Sequence, residues 1–160
     1  MEYYAKYNSP IGEIYIVVNS EGVKRIELSE EGFKEYLGTS YIKEDMTACM
    51  YVIEQLDEYF KGTRRVFDLP MSIEGTEFRK KVWNILMKIP YGETRSYAGI
   101  AESIGNPKAV RAVGGANRNN PIPIIIPCHR VIGKNGDLVG YCGDKTYIKR
   151  SLLEIEHIKI

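Results

Sequence analysis

The sequence predicts an α/β N-terminal domain built on an antiparallel sheet, residues 1–75, followed by a mostly helical C-terminal domain with a helix-turn-helix, residues 76–160. Three observations carry this expectation: a hairpin signature near the N-terminus, helical patterns filling the second half, and a reversal of charge between the halves. Residues 1–75 hold 8 Lys and Arg against 14 Asp and Glu, a balance of −6, while residues 76–160 hold 14 against 7, a balance of +7. Such segregation points to a polyanion as partner of the C-terminal half, with the acidic half left in solvent.

The hairpin is read from "GEIYIVVNSEGVKRIELS", two runs of β-branched and aromatic residues around "NSEG", where Gly22 can take left-handed backbone angles. In "MTACMYVIEQLDEYFKG", Cys49, Val52, Ile53, Leu56 and Phe60 recur at helical spacing and predict a helix ending near Gly62, with Cys49 on its buried face as a small core residue. "RRVFDLPMSI" reads as a further short extended segment, and the domain boundary is expected between Ile73 and Thr76. Next, "GTEFRKKVWNILMKIPYGE" predicts a helix capped by Thr76, with a stripe of Phe78, Val82, Ile85, Leu86 and Ile89 and with Pro90 closing it. Trp83 beside that stripe is expected in the core. "RSYAGIAESIGNPKAVRAVGGANRNN" gives two short helices across a tight "GN" turn, with Ser96 and Asn106 as caps and Pro107 at the first helical position, which suggests a helix-turn-helix. Within the second helix Ala109, Ala112, Gly114, Gly115 and Ala116 surround Arg111. Glycine inside a helix costs on the order of 1 kcal/mol relative to alanine, so the pair calls for a close approach by a DNA backbone or another helix.

A chain of 160 residues with 44% hydrophobic content can bury a substantial core. Its start lacks the basic and apolar regions of a secretory leader, and its apolar runs are too short for a bilayer, so neither export nor a membrane partner is expected. Three cysteines, an odd number, suit free thiols in a reducing cytoplasm.

The chemistry centres on "NPIPIIIPCHR", where Pro121, Pro123 and Pro127 stiffen a loop that three isoleucines anchor, ending in Cys128 and His129. A reactive cysteine needs a base or positive charge to form its thiolate. Neighbours in an extended chain point to opposite faces, so the pair requires a sharp turn or a bridging water, and a third, acidic residue toward the C-terminus to orient the imidazole. From these residues alone two readings stand, a buried structural thiol and a nucleophile.

From Gly75 to Glu156 the chain resembles the methylated-DNA–protein-cysteine methyltransferases, the O6-alkylguanine-DNA alkyltransferases, through "GTEFRKKVWNILMKIPYGET", "SYAGIA", "GNPKAVRAVGGANRNNPIPIIIPCHRV" and "YCGDKTYIKRSLLEIE". The resemblance implies a ribonuclease-H-like N-terminal domain and a winged-helix-like C-terminal one. It further implies direct, single-turnover transfer of an alkyl group from guanine O6, and from thymine O4, to Cys128. His129 would be the water-mediated base, Glu156 the carboxylate behind it, Asn120 a brace for the loop, and Tyr97 the donor to the departing guanine. Val131, Tyr141 and Cys142 would line the pocket. Arg111 would fill the gap left by a flipped base, and Asn106, Ala109, Ala112 and Gly114 would meet the minor groove of double-stranded DNA, the protein acting as a monomer without a cofactor.

The sequence departs from relatives that hold zinc in the N-terminal domain, since that half contains Cys49 alone and no histidine, so no metal is expected. Cys142 stands where relatives often carry a small hydroxyl residue. The competing readings are a non-enzymatic alkyltransferase-like damage-binding protein, which the retained Cys128 opposes, a transcription regulator, and a cysteine hydrolase.

Overall fold

The computed structural model describes residues 1–138 and 146–159, and it divides the chain into two compact units, Met1–Ile73 and Glu74–Ile160. In the first unit the elements run β1 (Tyr3–Ser9), β2 (Gly12–Asn19), β3 (Gly22–Glu27), α1 (Glu30–Leu37), β4 (Lys43–Glu44) and α2 (Met46–Phe60). The sheet order is β3-β2-β1-β4. The first three strands form an antiparallel meander, with Tyr7 opposite Ile14 and Ile16 opposite Ile26, and β4 adds two residues parallel to β1. Strand β2 is central and buried on both faces. Tyr15 and Val17 pack with Phe33 of α1, and the alternation of a strand sends Ile14, Ile16 and Val18 to the opposite face. Cys49 of α2 directs its Sγ at the Ile16 carbonyl, 3.8 Å away.

Two expectations for this unit change. The segment 64–73 is not a strand: it is tied to β3 by one bridge, Val23 with Met71, through hydrogen bonds from the Val23 amide to the Pro70 carbonyl and from the Ser72 amide to the Val23 carbonyl. In α2 the residue closing the buried stripe is Tyr59, with Phe60 and Ile53 half-buried, because 49, 52, 56 and 59 keep the helical phase better than 60 does.

The second unit contains α3 (Glu77–Leu86), β5 (Arg95–Ser96), α4 (Tyr97–Ser103), α5 (Val110–Arg118), a 3-10 turn at Cys128–Arg130, β6 (Val131–Ile132) and α6 (Thr146–Ile155). Thr76 caps α3, its side chain accepting from the Arg79 amide, and Val82, Trp83, Leu86 and Ile89 are buried. The Trp83 indole donates to the Ala116 carbonyl at 2.8 Å, which ties α3 to α5 and places the tryptophan in the core. Ser96 caps α4 through the Gly99 amide. Asn106, however, does not cap α5. The helix begins at Val110 with Ala109 in the cap position and no side-chain cap, while Asn106 and Pro107 belong to a separate turn closed by the Ala109 amide on the Asn106 carbonyl. Strands β5 and β6 pair in parallel, Arg95 with Val131 and Ser96 with Ile132, and so bring the start of α4 beside the end of the cysteine turn.

Candidate active site

Every residue from Asn120 to Val131 is buried. Asn120 braces this loop from both ends: its amide nitrogen donates to the Ile126 carbonyl at 2.8 Å, and its oxygen accepts from the Ile122 amide at 2.9 Å. The loop delivers the chain into the 3-10 turn of Cys128, His129 and Arg130. In such a turn neighbouring side chains lie about 120° apart rather than on opposite faces. Of the two arrangements expected for this pair, a sharp turn is therefore the one present.

Behind the turn lies a charged network that is almost wholly buried. His129 Nε2 is 2.6 Å from Glu156 Oε2. Arg130 grips the same carboxylate, Nε to Oε1 at 2.8 Å and Nη2 to Oε2 at 3.1 Å, and donates from Nη1 to the Ile89 carbonyl at 2.7 Å. The Gly92 amide adds a donor to Oε1 at 3.2 Å. Burial works against ionisation of Glu156, but the hydrogen bond with His129 and the Arg130 guanidinium hold the carboxyl well below the usual carboxylate range. An ionised carboxylate accepts only, so His129 must carry its proton on Nε2. The lone pair then sits on Nδ1, which is buried and has no hydrogen-bond partner among the described residues. Burial lowers the imidazole pKa, against the pull of Glu156, and keeps the ring neutral.

Tyr97 opens α4 and is held by burial, and by the nearby Cys128, at a pKa of about 12, so it is a phenol and a donor. Lys149 of α6 is fully buried, donates to the Val131 carbonyl, and sets its ammonium 5.8 Å from the centre of the Tyr97 ring. The sequence-predicted Cys128, His129, Glu156, Asn120, Tyr97 and Val131 thus lie in one unit, on elements joined by these bonds. Tyr141 and Cys142 lie outside the described residues.

On α5, Val113, Ala116 and Asn117 turn inward, Arg111 and Ala112 are exposed, and Ala109 and Gly114 are half-buried. A Cβ built on Gly114 or Gly115 would meet nothing within 4 Å. No close approach within the described residues explains the glycine pair.

Three residues escaped the sequence reading. Arg130 is the cation that pairs with Glu156. Asn117 donates to the Cys128 carbonyl at 3.3 Å. Lys149 supports Val131 and Tyr97. The available signal was polarity out of place: Asn117 follows Val113 by four residues on the inward face of α5, and Lys149 sits on a helical stripe with Leu152, Leu153 and Glu156. Among the described residues no group of three or more His, Cys, Asp or Glu could hold a metal ion, and no helix is long and apolar enough to cross a membrane.

Fold and site together define a class, a cysteine–histidine–carboxylate centre carried on a helix-turn-helix domain. Residues 2–73 match the ribonuclease-like domain of 6-O-methylguanine DNA methyltransferase, and residues 77–158 match its DNA binding domain. The chain belongs to that family. It is 49% identical over 160 residues to the constitutive methylated-DNA–protein-cysteine methyltransferase of Bacillus subtilis, covering 99% of this chain and 97% of the relative. With the protein of that name from Methanosarcina acetivorans it shares 49% identity, covering 96% and 97%. Among solved structures, the Mycobacterium tuberculosis OGT in complex with DNA superposes with a TM-score of 0.87 at 42% identity, covering 96% of this chain and 92% of that one.

Proposed function

We propose that this chain repairs double-stranded DNA by transferring the alkyl group from O6-alkylguanine, and from O4-alkylthymine, directly to Cys128. The observation that carries this reading is the buried Cys128–His129–Glu156 arrangement in a member of this family. The thiol gives its proton through a bridging water to His129 Nδ1. Nε2–H donates to Glu156, which stays ionised and stabilises the imidazolium that forms. The thiolate attacks the alkyl carbon, a C–S bond forms, the C–O6 bond breaks, and its electron pair leaves with guanine, to which the Tyr97 hydroxyl supplies a proton or hydrogen bond. The thioether has no route back to the thiol, so each molecule acts once.

A stacked guanine cannot present O6 to a buried thiol, and the nucleotide must leave the helix at a cost of a few kcal/mol. Arg111, exposed on α5, fills the gap, and the open surface over Ala112, Gly114 and Gly115 admits the minor groove. The reaction suits a reducing cytoplasm, which keeps Cys128 a thiol. Cys49 does not compete, since burial and then Asp45 push its thiol to about 12. No cofactor is needed, because thiolate and alkyl group supply both bonding partners.

The test is incubation with excess duplex carrying O6-methylguanine, followed by mass spectrometry of the peptides. One methyl group on the Cys128 peptide and no second turnover are expected. Intact lesion binding with unmodified Cys128 would instead identify a damage-binding protein.

A further inference from the structure

Ile124 lies midway along the loop that delivers Cys128, and its backbone has φ 76°. This is the left-handed region, where glycine is the ordinary occupant and a β-branched residue is an outlier. Among the described residues only His157, at the end of the chain, shares a positive φ without being glycine. Left-handed isoleucine persists only where its surroundings over-determine it, and such outliers cluster at functional sites.

The surroundings here are specific. The Ile126 amide donates to the Ile122 carbonyl at 2.9 Å, closing a five-residue turn with Ile124 at its centre. The Ile126 carbonyl then accepts twice, from Asn120 Nδ2 at 2.8 Å and from the Cys128 amide at 2.8 Å. Pro127, with φ −80° and ψ 64°, makes the second of these bonds an inverse γ-turn. The conformation of Ile124 thus sets the Ile126 carbonyl, and that carbonyl holds the backbone of the cysteine. Ile124 is fully buried, as are Ile122 and Ile126. A glycine would adopt this turn without strain but would populate other backbone states as readily. Isoleucine can leave it only by disturbing a fully buried side chain, which disfavours other conformations of the loop.

We infer that Ile124 is a positioning residue for the transfer reaction: its left-handed backbone, locked by side-chain burial, fixes the Ile126 carbonyl and through it the place of Cys128. This rests on Cys128 being the acceptor. The comparison that isolates the backbone is Ile124→Ala against Ile124→Gly, because the two differ in packing by a single methyl group and otherwise in tolerance of positive φ. The glycine variant is expected to melt about 2–4 °C above the alanine variant, from relief of strain. It is nevertheless expected to transfer methyl about tenfold more slowly than the alanine variant, since a looser loop misplaces the thiol. Ile124→Val, which keeps the β-branch, should restore the wild-type rate within about twofold.

A purely structural role would move stability and rate together, so a glycine variant as fast as the alanine variant, or one that melts below it, overturns the inference. Hydrogen exchange of the unaltered protein gives a second test that no misfolded variant can spoil. The Ile126 and Cys128 amides should exchange as slowly as the core amides of α3, and faster exchange by local opening would also overturn it. Unaltered protein that takes no methyl on Cys128 would sink the parent reading instead, and would leave the exchange result to judge the loop.

Discussion

At the scale of single residues, two cysteines of this chain show how environment decides chemistry. Cys49 faces a carbonyl in the core, where burial and then Asp45 hold its thiol protonated, whereas Cys128 shares a turn with a neutral imidazole backed by a carboxylate. Glu156 is the residue on which that environment depends. Glu156→Gln leaves Arg130 buried with a neutral partner, and losing one member of a buried ion pair is expected to destabilise the unit by about 3–5 kcal/mol in denaturant titration. Methyl transfer should fall about 100-fold or more, because the amide that replaces the carboxylate carries no charge to stabilise the imidazolium that forms as His129 takes the thiol proton. A second consequence concerns pH. Burial holds the His129 pKa below its ordinary value, while in the unfolded chain it titrates at about 6.5. Below that pH the unfolded chain binds a proton that the folded one refuses, so His129 makes stability fall as pH drops from about 6.5. Melting temperatures across that range should show the slope, and His129→Gln should reduce it.

At the scale of elements, glycine positions separate folding from function. Gly22 has φ +134°, and a Cβ there would lie 2.2 Å from the Pro70 carbonyl oxygen that accepts from Val23. Gly22→Ala is therefore expected to destabilise the chain by about 2–5 kcal/mol, strain and clash together, measured by chemical denaturation. Gly114 is the opposite case, a helical glycine with open space around its Cβ position. Gly114→Ala should stabilise the free protein by up to about 1 kcal/mol and weaken its binding to duplex DNA, read by thermal melting and by titration of labelled duplex. A variant that is more stable and binds DNA unchanged would remove this helix face from the interface. Short elements were the least legible in the sequence. Strand β4 has two residues and exists only through its pairing with β1, and α5 starts three residues later than its Asn-Pro signal suggested because that signal builds a turn of its own.

At the scale of the whole molecule, the balance of −6 in residues 1–75 against +7 in residues 76–160 concentrates positive charge in the half that matches the family's DNA binding domain. Binding to undamaged duplex should weaken linearly in log–log with salt, with a slope reporting the phosphates neutralised, and should depend little on base sequence. Arg111→Ala should slow repair in duplex much more than transfer from free alkylguanine base, since only the duplex has a gap to fill. Equal losses on both substrates would place Arg111 in the chemistry or the fold.

By itself the sequence determined the local features and the family. The hairpin and helices follow from periodicity over a few residues, and the proline-stiffened approach to Cys128 and His129 is contiguous in the chain. The resemblance supplied Glu156, Asn120 and Tyr97 by position alone. Only the tertiary structure decided how these residues act. Arg130 and Glu156 are 26 residues apart in sequence, yet that pairing makes the carboxylate ionised and places the free lone pair of His129 on Nδ1. Lys149 beneath Val131 and the left-handed turn at Ile124 belong to the same category. Their reason is common: burial makes an unpaired polar group or a strained backbone costly, and the contacts that offset that cost come from distant segments which no local pattern brings together.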